Sequence, residues 1–265
     1  MRYVIDHDFH IHSTLSPCCK TPEQTPERIL QYAKDNHLNS IILTNHFWDE
    51  NVVPVPSAWY EKQPFAHICA AKPLPQAEGI RYLFGCEIDV TADLLLGLSK
   101  ERMDAFDFII IPTTHMHFSF TTRDEEKESV QGRVNAWIRR LEGVLNMDLP
   151  FHKVGLAHLT CRLTWREEDR YLQVFSAIPE AELVRLFTKA AKLSVGIEIN
   201  QDDMKYAHLN PDILLRPYRI AKACGCKFYL GSDSHKPEEL DTAMENFQWA
   251  VDMLELTEED KFVLL

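Results

Sequence analysis

The stretch Asp6-His7-Asp8-Phe9-His10-Ile11-His12 decides how the rest of the chain is read. It follows a short apolar run, Tyr3-Val4-Ile5, and so reads as the end of a first β-strand. Side chains at i and i+2 on a strand share a face. His10 and His12 therefore point the same way, with Asp8 two residues earlier on that face. Two imidazoles at a strand end can grip one metal ion, and a nearby carboxylate can ligate it or orient the rings. Two ordinary histidines would read the same way, so the metal reading depends on whether later strands also end in ligands.

They do. A helix is predicted over 26–36, with Thr25 as N-cap and Pro26 at its first position. Further strands are predicted over 40–44, 81–84, 106–111, 153–157, 194–199 and 227–230. Helices are expected around 129–145, 179–192, 211–224 and 237–254, and residues 47–78 read as a long irregular connection. Polar residues follow the strands: Asn45-His46, Glu87, His115 or His117, His158, Asn200, then Asp233 and His235. Parallel strands alternating with crossovers, with polar side chains just past their C-terminal ends, are how a TIM-type barrel presents a site. The expected fold is α/β: a distorted seven-stranded (β/α)7 TIM-like barrel, one domain over residues 1–265.

Composition fits this reading. At 265 residues and 45% hydrophobic, the chain can bury a large core. It has no apolar run long enough to span a bilayer, and no basic region followed by an apolar leader at its start, so no membrane association is expected. Seven cysteines, an odd number without a secretory leader, point to a reduced, cytoplasmic protein rather than a disulfide scaffold. The net charge of −12 argues against a nucleic-acid partner, because phosphate backbones require clustered Lys and Arg. A small anionic substrate remains compatible, since bound divalent ions reverse the local field. The oligomeric state is not legible.

Taken together, Asp8-Phe9-His10-Ile11-His12-Ser13, Thr44-Asn45-His46, Gly85-Cys86-Glu87, the histidine after the fourth strand, Ala157-His158 and Gly231-Ser232-Asp233-Ser234-His235 form a specific set. In this order the set resembles the PHP family, the polymerase and histidinol phosphatase domain. That family comprises distorted seven-stranded barrels with metal-dependent phosphoesterase members. The resemblance implies two or three divalent ions, with zinc, iron and manganese all suited to imidazole and carboxylate ligands. It implies that His10, His12, Glu87 and Asp233 hold one ion. Glu87 would bridge to a second held by His115 and His158, while His46 and His235 serve a third. Glu87, Asp233 and His235 are then catalytic as well as ligating.

Two departures from the family pattern stand out. Asn45 replaces an acid that often precedes the second-strand histidine. Pro17 and Cys18 stand where an acid or histidine commonly reaches the third ion, so Cys18 is either a thiolate ligand there or a loop residue with no such role. Arg162, four residues past His158, is the best-placed candidate for the substrate phosphate. The leading expectation is a metal-dependent phosphoesterase acting on a small phosphorylated metabolite, histidinol phosphate being one candidate. An amidohydrolase-like hydrolase, which would use a metal-bridging lysine, and a PHP-like structural or partner-binding module are the alternatives.

Overall fold

Short runs of β-branched and aromatic residues, buried on both faces, form the seven strands of the computed structural model, which describes residues 1–264. They are β1 (His7–Ile11), β2 (Ser40–Leu43), β3 (Arg81–Glu87), β4 (Phe108–Pro112), β5 (Val154–Ala157), β6 (Gly196–Asn200) and β7 (Lys227–Gly231). All neighbours pair in parallel and follow sequence order, the arrangement expected of a (β/α)7 barrel. Alternate residues split between two cores. Phe9, Ile42, Phe108, Ile110, Ala157 and Tyr229 fill the barrel interior. Ile41, Leu43, Ile109, Ile111, Ile197 and Ile199 pack outward against the helices.

The barrel closes where β1 meets β7, and side chains do much of the closing. Near the top, His12 N donates to Ser234 O (3.1 Å) and Asp233 N to His10 O (2.6 Å). Lower down, Ser232 N donates to Asp8 Oδ1 (2.9 Å) and Leu230 N to His7 Nε2 (3.1 Å). The register of β1 against β2 shifts between Asp8 and Ile11. This irregularity corrects the expected geometry. The first strand is the histidine stretch itself rather than the run before it. Asp8 does not share the face of His10 and His12, for its Oδ2 accepts from Tyr32 Oη (3.1 Å) on the helix Pro26–Asp35. An extra residue in a strand breaks the period of two on which the sequence reading relied.

The floor of the barrel comes from the far end of the chain. Phe262 and Leu264 join the interior core, and Phe262 N donates to Phe228 O (2.8 Å). Lys261 Nζ reaches Asp6 Oδ2 at 3.2 Å.

The helical layer follows the sequence with local differences. Thr25 caps its helix by accepting from Arg28 N (3.3 Å), and Ser129 caps the helix Val130–Leu145 through Gly132 N (3.0 Å). The helix expected over 211–224 is two pieces, Pro211–Leu214 and Arg216–Ala223. Pro217 has no N–H to continue the first piece and instead opens the second. Short helices at Arg170–Ala177 and Gln201–Ala207 were not expected. Among the described residues no helix is long and apolar enough to cross a membrane.

One buried cation ties this layer to the rim. Arg140 is fully buried, and its guanidinium donates to the carbonyls of Thr113, Val90, Thr121 and Pro112 at 2.7–3.2 Å. Those carbonyls belong to the end of β4 and to the loops that follow β3 and β4. Replacing Arg140 with Leu strands all four acceptors, each worth ~1–3 kcal/mol when buried and unpaired. Denaturant unfolding of Arg140→Leu is expected to show a loss of at least ~3 kcal/mol. A loss well below ~1 kcal/mol would mean that water reaches these carbonyls instead.

Candidate metal centre

The site lies at the C-terminal rim because each contributing side chain sits at or just beyond a strand end. β1 supplies His10 and His12, β3 ends on Glu87, and His46, His115, His158, Asp233 and His235 follow β2, β4, β5 and β7. Two of these residues have left-handed backbone: His158 (φ 58°) and Asp233 (φ 53°). That region costs a residue with a Cβ ~1–2 kcal/mol, and such strain concentrates at functional positions.

All eight converge. Potential ligand atoms gather in three linked groups: His10, His12, Glu87 and Asp233; Glu87, His115 and His158; and His12, His46 and His235. Within each group the atoms lie no more than 4.8 Å apart. Glu87 is the shared member of the first two. Its Oε2 lies 3.4 Å from His10 Nε2, 3.2 Å from His12 Nε2 and 3.1 Å from His46 Nδ1. Its Oε1 lies 3.3 Å from His158 Nε2 and 3.6 Å from His115 Nε2. Asp233 faces it, with Oδ1 3.3 Å from His10 Nε2 and 3.0 Å from His12 Nε2.

The Glu87 carboxylate is 1% exposed, yet neither oxygen receives a hydrogen bond. Buried carboxylates without donors are costly, and a set of imidazoles and carboxylates around such an oxygen pair is what a divalent ion binds. The residues present fit the implied metals. Burial would raise the Glu87 carboxyl, but His10, whose charged form the surrounding carboxylates favour, helps hold it well below its ordinary range. Burial pushes His46 well down, and burial with His12 brings His235 down to about 4, whereas the carboxylates hold His10, His12 and His158 up.

Partners behind the ligands fix their rings. Glu198 Oε1 lies 2.6 Å from His10 Nδ1, and its Oε2 accepts from His158 N (3.0 Å). Gly231 makes room for this carboxylate, since a Cβ there would overlap Glu198 and lie 2.7 Å from His10 Cβ. Asp89 holds His115 Nδ1 (3.1 Å) and accepts from Tyr60 Oη (2.5 Å). Ser16 Oγ lies 3.0 Å from His12 Nδ1 and donates to Asn45 Oδ1 (2.9 Å). Asn45 thus braces the loop that backs His12. Of these supports the sequence marks Asn45 and Gly231 within motifs, while Glu198, Asp89, Tyr60 and Ser16 carry no such mark. Glu198 was the most visible, a lone acid between Ile197 and Ile199 in a buried strand.

Above the ligands a cleft opens in two lobes that share His158, Leu163, Arg166 and Asp233. The metal-facing lobe, about 200 Å³, is walled by Trp59, Phe118 and His117 and also takes in Cys18. Trp59 meets His46 edge-on at 5.0 Å. The side lobe, about 330 Å³, adds Cys161, Arg162, Asp202 and Tyr206. Of the two histidines after β4, His115 joins Glu87 and His158, while His117 lies in the wall. Cys18 lies beside the His12, His46 and His235 group without joining it. Burial, then Asp233 and Glu87, push its thiol up. Arg162 lines the side lobe and is absent from the metal-facing one, whereas Arg166, which the sequence reading passed over, lines both. The remaining histidines have local tasks: His67 Nε2 lies 2.8 Å from Leu15 O, and His208 stacks on Trp249 at 3.7 Å.

Fold and site together define a parallel (β/α)7 barrel whose rim gathers several groups of residues able to hold a metal ion. This fold is shared with the histidinol phosphate phosphatase of Lactococcus lactis subsp. lactis Il1403, whose structure contains zinc, L-histidinol and phosphate. The two chains are 19% identical over 92% of this chain and 93% of that one, with a TM-score of 0.51. At that identity the likeness is one of fold, and it is the fold that the PHP-like motifs imply. A weaker likeness links the chain to the ochratoxinase of A. niger, 10% identical over 95% of this chain and 69% of that one, with a TM-score of 0.40. No family model and no curated protein sequence matches the chain.

If Glu198 orients His10 for metal, Glu198→Gln should leave the barrel folded and weaken binding of the first ion ~10–100-fold. Equilibrium metal titration measures this. Unchanged affinity would show that the pair only fills space.

Proposed function

We propose that the chain is a metal-dependent phosphoesterase that releases phosphate from a small phosphomonoester, histidinol phosphate being one candidate. The observation that carries the reading is the buried, donor-free Glu87 carboxylate at the junction of ligand groups. His10, His12, Glu87 and Asp233 would hold one ion, Glu87, His115 and His158 a second, and His12, His46 and His235 a third. Zinc, iron and manganese all suit these donors. Bound divalent ions supply an activated water at neutral pH and neutralise charge that builds on phosphate oxygens.

The chain's own residues do the rest. Glu87 and Asp233 stay ionised and set the spacing of the ligand groups. His235 Nδ1 lies 2.7 Å from Asp233 O, a contact that directs its other nitrogen away from the backbone. Arg166, lining both lobes, is the guanidinium placed to meet phosphate oxygens at their junction. Trp59 and Phe118 narrow the metal-facing lobe and limit bulk water. No lysine lines either lobe, so the metal-bridging lysine of the amidohydrolase alternative has no counterpart in this cleft.

Metal-loaded protein is expected to release phosphate from p-nitrophenyl phosphate and from at least one phosphorylated metabolite, and to stop when a chelator removes the metal. Glu87→Ala should lower bound metal by at least one ion and abolish turnover while leaving the circular dichroism spectrum intact. Turnover that persists in metal-free protein, or full metal content with wild-type rates in Glu87→Ala, sinks the proposal.

Cys18 lines the metal-facing lobe together with His46 and His235 of the third group. If its thiolate completes that group, Cys18→Ser should lower the metal-to-chain ratio measured by elemental analysis. An unchanged ratio, with and without phosphate, would leave Cys18 as a wall residue.

A further inference from the structure

We infer that the side lobe selects phosphomonoesters whose alcohol carries a second anionic group, and that Arg162 reads that group. The inference rests on the phosphoesterase reading and narrows its substrate class, setting aside histidinol phosphate, whose alcohol carries an amine and an imidazole but no second anion. The metal-facing lobe measures about 200 Å³. It must take the phosphate at the ions, and Trp59, Phe118 and His117 wall it. The side lobe is larger, about 330 Å³, and opens off the same His158 and Asp233. The alcohol part of the ester therefore extends into it.

The polar groups of that lobe are suited to an anion. Arg162 is held in place: Nη1 donates to Tyr206 Oη (2.5 Å), and the guanidinium lies 4.5 Å from the centre of that ring. One bond to a phenol leaves most of its five donors free. Arg166 lines the same lobe. Two acids line the lobe: Asp233 belongs to the metal-ligand cluster, and Asp202 has Lys205 3.9 Å away and also feels Arg162, so neither is matched to Arg162 alone. Other arginines of this chain sit against carboxylates, as Arg139 does with Glu126 (2.7 Å) and Arg102 with Asp49 (2.9 Å). In a chain of net charge −12, two guanidinium groups turned into one cleft exceed what a single phosphate on divalent ions requires. Arg162 lines the side lobe and not the metal-facing one, which makes Arg166, shared by both, the candidate for the phosphate itself. A carboxylate or second phosphate on the leaving alcohol matches the planar fork of its remaining donors.

A pair of probes isolates the charge. 3-Phosphoglycerate and glycerol 3-phosphate differ only in a carboxylate where the other has a hydroxymethyl group. With metal-loaded wild type, kcat/KM should favour 3-phosphoglycerate by ~10–100-fold, the range of a charge-assisted hydrogen bond. In Arg162→Gln that ratio should collapse towards one, and Arg162→Lys, which keeps the charge but loses the fork, should fall between. Equal kcat/KM values in wild type, or an undiminished ratio in Arg162→Gln, overturn the inference. The wild-type comparison stands even if a variant misfolds. p-Nitrophenyl phosphate separates the two readings: if it is turned over while the ratio is near one, the inference alone fails. If no ester is hydrolysed, the phosphoesterase reading fails and takes the inference with it.

Discussion

A carboxylate buried without a hydrogen-bond donor is the constraint around which this barrel is arranged. Glu87 ends the third strand at the centre of the rim, where its neighbours are imidazoles from four other strand ends. Folding the chain brings these groups out of water together, and the imidazoles around the carboxylate meet its charge there. The surrounding structure shows how such a cluster is kept in place. Carboxylates behind His10 and His115, a hydroxyl behind His12 and a glycine that clears space for Glu198 all restrict ring motion. A cluster preorganised in this way binds ions with little rearrangement, which is the condition for using them in catalysis.

The same economy of side chains appears at the seam. Regular pairing would close β1 on β7 with backbone groups alone. Here Asp8 and His7 take backbone protons from β7 instead. The irregularity in β1 lets Phe9 enter the interior while His10 and His12 both reach the rim. One strand thus supplies barrel core, seam and metal cluster within a few residues. This explains why its sequence alternates less cleanly than that of a simple strand.

Much of this was legible beforehand, for identifiable reasons. His46, His158 and His235 follow apolar runs bounded by turn residues, so their positions at strand ends could be read from local pattern. The face of Asp8 could not, because a register shift depends on the neighbouring strand and leaves no mark in the strand's own composition. Glu198 escaped notice because attention fell on residues past the strand ends, and it lies within one. Arg166 sits in a loop where no periodicity exists to give direction. The break at Leu215 was present in the sequence as Pro217, but the apolar spacing on both sides outweighed it.

The floor of the barrel has a consequence for how the protein is made. Phe262 and Leu264 occupy the lower interior beside Phe9, Phe108 and Tyr229, although they are synthesised after all seven strands. A growing chain that has passed β7 as far as His235 holds every candidate metal ligand but lacks the plug. Its interior aromatics are then open to solvent from below, and species of this kind are prone to aggregate. Ribosome-bound chains of this protein should accordingly be clients for chaperones until a late point, when the rim is already encoded and the base is still missing.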